Sequence, residues 1–148
     1  MNIRDKNILV IGVGLIIVSN IIGHFAGPFS IFATPFLLTV IIAVLNFQLY
    51  KSNFLLTVGY NFGLLLFNDL FIRFYAGGTH DQVGKAWISM LFSIAFVLAF
   101  IIMMVYSFTT VYSLNKTVKI KKVLMNIFVL LTLTTLTGLL YFYKISDI

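Results

Sequence analysis

The chain has 148 residues, of which 61% are hydrophobic and 9% are charged, and its mean hydropathy is +1.08. Soluble domains carry about 25% charged residues, and a chain this short cannot bury so much apolar surface in a core of its own. The composition therefore excludes a soluble domain and predicts an all-α integral membrane protein with one transmembrane domain over residues 1–148. Because cysteine is absent, thiolate nucleophiles and thiolate-bound metals are excluded as well.

Five apolar stretches are long enough to cross about 30 Å of hydrocarbon, which takes roughly 20 helical residues. They cover residues 8–26, 29–50, 53–75, 86–112 and 122–143. Each must be helical, because unpaired backbone groups in lipid cost several kcal/mol. The sequence thus predicts a five-helix transmembrane bundle. The tight connection at Gly27-Pro28 and the proline at position 35 leave one alternative, four spans with a broken or re-entrant element within residues 8–50.

The basic residues predict how the bundle is oriented. In a five-span arrangement, one side holds Arg4, Lys6, Lys51, Lys116, Lys119, Lys121 and Lys122, and the other holds Arg73, Lys85 and Lys144. By the positive-inside rule the N-terminus is cytoplasmic and the C-terminus lies outside the cell membrane. These flanking positions also account for the net charge of +6, so no nucleic-acid partner is expected.

The first and third segments bring polar residues to the outer side of the bundle. On the third helix, Asn61 and Asn68 fall within about 40° of each other at 100° per residue. Asp69 and Arg73 lie further round the same half and are four residues apart, so they can pair. His24 ends the first segment at a similar depth. Ionisable groups at such a depth face a protein interior or water, and these residues are candidates for a ligand or ion path.

The stretch AGGTHDQVG, residues 76–84, has the features of a helix-to-helix turn. Its glycines suit a helix C-terminus, and THDQ matches a capping box that would begin the next helix. Asp81 would then lie in the first turn, where the helix dipole favours a negative charge. His80 is left without a structural role, and both residues are added to the candidate path. No metal or other cofactor is expected, because no recognised ligand spacing occurs.

Small residues predict where helices pack closely. Gly59 and Gly63 form a G-x-x-x-G step on the third helix, opposite its amides. On the fifth helix, Thr134 and Gly138 belong to the stretch LTLTTLTG, for which we predict helix packing, with pore lining as the alternative. In front of that helix the loop carries Lys116, Lys119, Lys121 and Lys122. Each of these lysines would favour anionic lipid by about 1 kcal/mol.

Three functions agree with these features. The first is a membrane subunit or homo-oligomeric effector that acts through helix–helix contacts with the same or another membrane protein. The second is a channel or transporter whose polar path follows the third helix to an Asp-Arg-His cluster on the outer face. The third is a membrane-embedded enzyme or lipid-binding protein that uses the same cluster. An enzyme is the least favoured, because the sequence contains no glutamate and no P-loop, G-x-S-x-G or H-E-x-x-H motif.

Overall fold

The computed structural model describes residues 3–26, 28–49, 53–76, 82–109 and 116–146, and these ranges are helical almost throughout. The helices are α1 Ile3–Ala26, α2 Pro28–Leu49, α3 Phe54–Phe74, α4 Gln82–Thr109 and α5 Lys116–Leu140. A π-helical turn, Tyr141–Ile145, continues α5. The described ranges contain no strand. The prediction of an all-α fold with five helices is therefore confirmed.

Helices α1 and α5 begin about five residues before the predicted spans, at Ile3 and Lys116. The predicted spans cover the apolar residues alone, whereas a helix can continue into neighbouring polar residues that favour helix formation. Lysine and arginine are good helix formers, and both early starts fall in lysine-containing stretches. The first turn of α3 has a defined cap: Oδ1 of Asn53 accepts a hydrogen bond from the backbone N–H of Leu56 at 3.2 Å.

Four helices are long and apolar enough to cross a membrane among the residues described. They are Asp5–Ala26, Phe54–Phe74, Gln82–Thr109 and Thr117–Ile145. In α2, the continuous stretch whose side chains are described, Ala33–Leu45, is apolar as well. The helix runs continuously through Pro35, where the hydroxyl of Thr39 donates a hydrogen bond to the Pro35 carbonyl at 2.8 Å.

Helix α3 lies at the centre of the bundle and packs against the other four helices. Half of the residues in its most apolar stretch are buried, compared with 11% for α5. The apolar core includes Ile42 and Leu45 of α2, Leu65 of α3, and Ala99 and Met103 of α4. The outer faces of the helices carry large apolar side chains, for example Phe36 at 73% exposure and Phe128 at 71%. Apolar surface on this scale is typical of contact with lipid or with another protein.

The contact between α1 and α3 depends on a small residue. A Cβ atom added to Gly12 would lie 2.7 Å from the hydroxyl oxygen of Tyr60 and 3.3 Å from Cδ1 of Leu45. That hydroxyl is held in place, because it donates a hydrogen bond to the Leu9 carbonyl of α1. Gly12 therefore allows the backbone of α1 to approach α3, a role that small residues commonly have in membrane bundles.

We predict that Gly12→Ala lowers the free energy of unfolding in detergent by about 1–3 kcal/mol, the range typical of overpacking. Gly14→Ala is the matched control, because a Cβ atom there meets nothing within 4 Å and alanine favours a helix over glycine. Adding Tyr60→Phe to Gly12→Ala removes the nearest clashing atom and should recover part of the loss. Equal melting temperatures for the Gly12 and Gly14 variants would contradict this account of the α1–α3 contact.

Candidate functional site

The polar residues of α3 face the interior of the bundle. Thr57 and Asn61 have no exposed surface, and Asn68, Asp69 and Arg73 are 5%, 2% and 3% exposed. The helical spacing that places them on one side of α3 thus turns that side towards the other helices. Burial of an acid and a base at this depth is tolerated only when they are paired or hydrogen-bonded.

Asp69 and Arg73 form a buried ion pair at the end of α3. Nε of Arg73 donates to Oδ2 of Asp69 at 2.7 Å, over an i, i+4 spacing. The Tyr141 hydroxyl donates to the other carboxylate oxygen, Oδ1, at 3.1 Å. Both oxygens of the carboxylate therefore have a donor.

The guanidinium of Arg73 connects three helices. Its Nη2 donates to Oγ of Ser89 on α4 and to the hydroxyl of Tyr141, both at 3.0 Å. Its Nη1 donates to the carbonyl of Ser146 at 3.2 Å. The side chains of Asp69, Arg73, Ser89 and Tyr141, with the Ser146 carbonyl, are called the Asp69–Arg73 network below. The network joins the ends of α3 and α4 to the π-helical turn after α5.

Tyr141 is positioned by packing as well as by hydrogen bonds. It is fully buried at the start of the π-helical turn, and its ring stacks on that of Phe92 with centroids 3.6 Å apart and planes 7° from parallel. Sequence reasoning missed Tyr141 and Ser89 as site residues. The available signal was depth along the bundle, since Ser89 lies near the start of α4 and Tyr141 directly follows α5, at the end of the bundle that also holds Arg73. Depth alone does not show which side of a helix meets the pair.

A second polar contact ties α1 to α3. Nδ2 of Asn20 donates to Oδ1 of Asn68 at 2.8 Å and to the carbonyl of Ile16 at 2.9 Å. Nearer the helix end, Nδ1 of His24 donates to the Tyr75 carbonyl at 2.8 Å, and the two rings stack with centroids 4.7 Å apart. His24 is exposed and meets the end of α3 rather than the Asp69–Arg73 network.

Two predicted path residues, His80 and Asp81, lie outside the described residues, as does the turn that contains them. Within the described ranges, no group of three or more His, Cys, Asp or Glu side chains is placed to hold a metal ion. Of the four lysines predicted to meet anionic lipid, Lys121 and Lys122 are exposed and Lys119 is partly exposed. The side chain of Lys116 lies outside the description.

Asn61 differs from the other buried amides of the bundle. It has no exposed surface, and neither its Oδ1 nor its Nδ2 atom has a hydrogen-bond partner. Thr57, one turn away, uses its hydroxyl within its own helix by donating to the Asn53 carbonyl at 2.8 Å. Among the described buried side chains, Asn61 holds the unpartnered atoms. An amide left without hydrogen bonds in apolar surroundings costs on the order of 2–7 kcal/mol.

A small cavity of about 20 Å³ lies beside the ion pair, between α2, α3 and α4. Thr34, Asn68 and Asp69 supply its polar lining, and Leu65 and Phe92 are among its apolar residues. A cavity needs about 10–15 Å³ by this measure to hold one water molecule. The cavity can therefore hold about one water next to the carboxylate, and it is too small for a larger ligand.

The small residues predicted for helix packing lie open within the single chain. Gly59 and Gly63 are exposed, and a Cβ atom at either of them or at Gly138 would meet nothing within 4 Å. The hydroxyl of Thr134 donates to the Leu130 carbonyl of its own helix at 2.7 Å. Among the glycines whose surroundings are described, the close contact is made instead by Gly12, which sequence reasoning did not select. A packing role for the other positions stays a prediction.

Comparison with protein-family models, curated proteins and solved structures finds no match for this chain.

We predict that Tyr141→Phe destabilises the protein by about 1–3 kcal/mol, the cost of leaving buried polar partners without a hydrogen bond. The substitution keeps the stack on Phe92 and removes only the hydroxyl that lies between Asp69 and Arg73. Tyr143→Phe is the matched control, since Tyr143 is 79% exposed. Thermal unfolding in mild detergent measures both. Equal melting temperatures for the two variants would contradict the proposed contribution of the Asp69–Arg73 network to stability.

Proposed function

We propose that the protein is a small polytopic membrane protein that acts as a membrane subunit or homo-oligomeric effector through helix–helix contacts. The observation that carries this proposal is the exposed G-x-x-x-G step of α3. No more than seven residues, 75–81, separate one helix from the next, so the connections leave no room for a soluble domain. Any function of the chain from α1 to α5 must therefore be carried out at the surface of the helix bundle or in its interior.

The exposed glycines form the floor of a shallow apolar groove. Its lining is Val13, Gly59, Tyr60, Gly63, Leu64 and Phe67. The one polar group among these side chains, the Tyr60 hydroxyl, already donates to the Leu9 carbonyl, so the groove can meet an apolar surface without leaving a polar group unpaired. Two glycines four residues apart let the backbone of a second helix approach closely.

A second copy of this chain is the occupant that we favour for the groove. A twofold axis pairs a surface with itself, so one G-x-x-x-G step on each chain completes the contact. Helix α3 also carries the buried Asp69–Arg73 pair on another of its sides. A contact at Gly59 and Gly63 would therefore join two bundles through the helix that organises each of them.

We further propose that α2 crosses the membrane, which makes five spans with the N-terminus cytoplasmic and the C-terminus outside. At 1.5 Å per residue, the 22 residues of α2 extend about 33 Å, enough for the hydrocarbon layer. The uneven distribution of Lys and Arg supports this orientation. It places Lys116, Lys119, Lys121 and Lys122 at the cytoplasmic surface, where anionic lipid would attract them.

Native mass spectrometry of the protein extracted in mild detergent tests the helix-contact proposal. We expect multiples of 16.7 kDa for the wild type and the monomer for Gly59→Leu/Gly63→Leu, because leucine would fill the groove. The monomer should keep its melting temperature, since a Cβ atom at either glycine meets nothing. Gly14→Leu on α1 is the control and should stay oligomeric. A wild-type monomer, or a double variant that still associates, would refute the α3 contact; a second protein in the complex would identify a hetero-oligomeric subunit.

The absence of cysteine makes the topology directly testable. We expect a membrane-impermeant maleimide to label Lys144→Cys in intact cells and to label Lys6→Cys and Lys121→Cys only after the membrane is opened. All three substituted positions are at least partly exposed in the bundle, so protein burial does not block the reagent. Labelling of positions 6 and 144 from the same side would instead establish an even number of spans and exclude the crossing of α2.

A further inference from the structure

One face of α3 carries a column of polar residues that is interrupted by leucine. Asn53, Thr57, Asn61, Leu65 and Asn68 follow one another at spacings of four or three residues, which places them on one side of a helix. Asn53 is exposed at the helix N-terminus, and the other four are buried. The column thus starts at the surface of the protein and continues into the bundle, with Leu65 as its apolar member.

Leu65 lies between a small polar cavity and the unpartnered amide of Asn61. On one side it lines the cavity of about 20 Å³ beside Asn68 and Asp69. On the other side, four residues or about 6 Å along the helix axis, is Asn61 with its unpartnered amide. A buried amide without a partner is costly, and water is the simplest partner that can satisfy both of its polar atoms. A displacement of the Leu65 side chain would bring water from the cavity towards this amide.

The charges along the column select against ions. Its amides and hydroxyl are neutral, and Asp69 and Arg73 are the charged members of the buried set among the described residues. These two cancel each other at 2.7 Å. An ion moved into a low-dielectric interior needs compensating charge, and none remains. A neutral molecule needs only hydrogen bonds, which the amides and hydroxyl supply.

We infer that the column on α3 is a pathway for water and other neutral solutes of similar size, and that Leu65 closes it in the state described here. The pathway runs inside one chain and is thus separate from the groove at Gly59 and Gly63. At its far end the cavity reaches the Asp69–Arg73 network, whose Ser89 and Ser146 are partly exposed. In this pathway the buried side chain of Leu65 is the apolar barrier between the cavity and the amide of Asn61.

Stopped-flow light scattering on liposomes that contain the full chain tests the pathway. Leu65→Ala should raise the rate of osmotic shrinkage per protein on the order of tenfold over wild type, the effect of a barrier lower by about 1.4 kcal/mol. Leu130→Ala is the matched control. Leu130 is buried like Leu65 but lies on α5, outside the polar column and outside the cavity lining, and its substitution should leave the rate unchanged. Leu65→Val should give a smaller rise, and it replaces Leu65→Ala if the alanine variant does not fold.

Two further measurements can overturn the inference. Adding Asn61→Leu to Leu65→Ala should return the rate to the wild-type value, because the amide that receives water is gone. A rise that survives this change, or no rise in a folded Leu65 variant, would show that water does not follow the column. The potassium and proton leak of the same liposomes should stay at the wild-type level, and an increase in either would refute selection for neutral solutes. Gly59→Leu/Gly63→Leu should not alter the Leu65→Ala rate, which separates the pathway from the proposed oligomer.

Discussion

The buried pair of Asp69 and Arg73 is the interaction on which one end of the bundle depends, the end where α3 finishes and α4 begins. Both side chains are buried in a helix that is long and apolar enough to cross a membrane. Neither charge can rely on water there, so each needs partners from the protein. The carboxylate has two donors, and the guanidinium reaches α4 and the turn after α5. Removing one member of a buried pair costs about 3–5 kcal/mol, because its partner is left charged and buried. The pair therefore constrains where α4 and the end of α5 can lie.

Helix α3 meets different neighbours on its different sides. Its amides and ion pair contact the other helices of the chain, while Gly59 and Gly63 remain exposed. Polar groups must be satisfied within the bundle, because lipid offers no hydrogen bonds. Small residues carry no such requirement, and they can remain at the surface until another helix covers them. This difference explains why the inward side of α3, apart from the amide of Asn61, makes its contacts within one chain, whereas the glycine side remains exposed.

The helices and the polar side of α3 could be predicted from the sequence because both follow from local periodicity and from the length of apolar runs. The contacts of Arg73 with Ser89 and Tyr141 could not, since they depend on the rotation of α4 and α5 relative to α3. The same holds for glycine. Gly59 and Gly63 match a known motif yet stay exposed, whereas Gly12 belongs to no such motif and makes the close contact with Tyr60 and Leu45. Spacing identifies the face of one helix, and only packing identifies what meets it.

Three of the buried asparagines, Asn20, Asn61 and Asn68, show how the same residue type can have different roles. Asn20 and Asn68 satisfy each other across α1 and α3, so that contact is complete and holds two helices together. Asn61 lies two turns deeper on the same face of α3 and has no such partner. Leucine at position 61 would spare the fold the cost of a buried amide. The proposed pathway gives this amide a role, since Leu65 lies between it and a cavity large enough for one water.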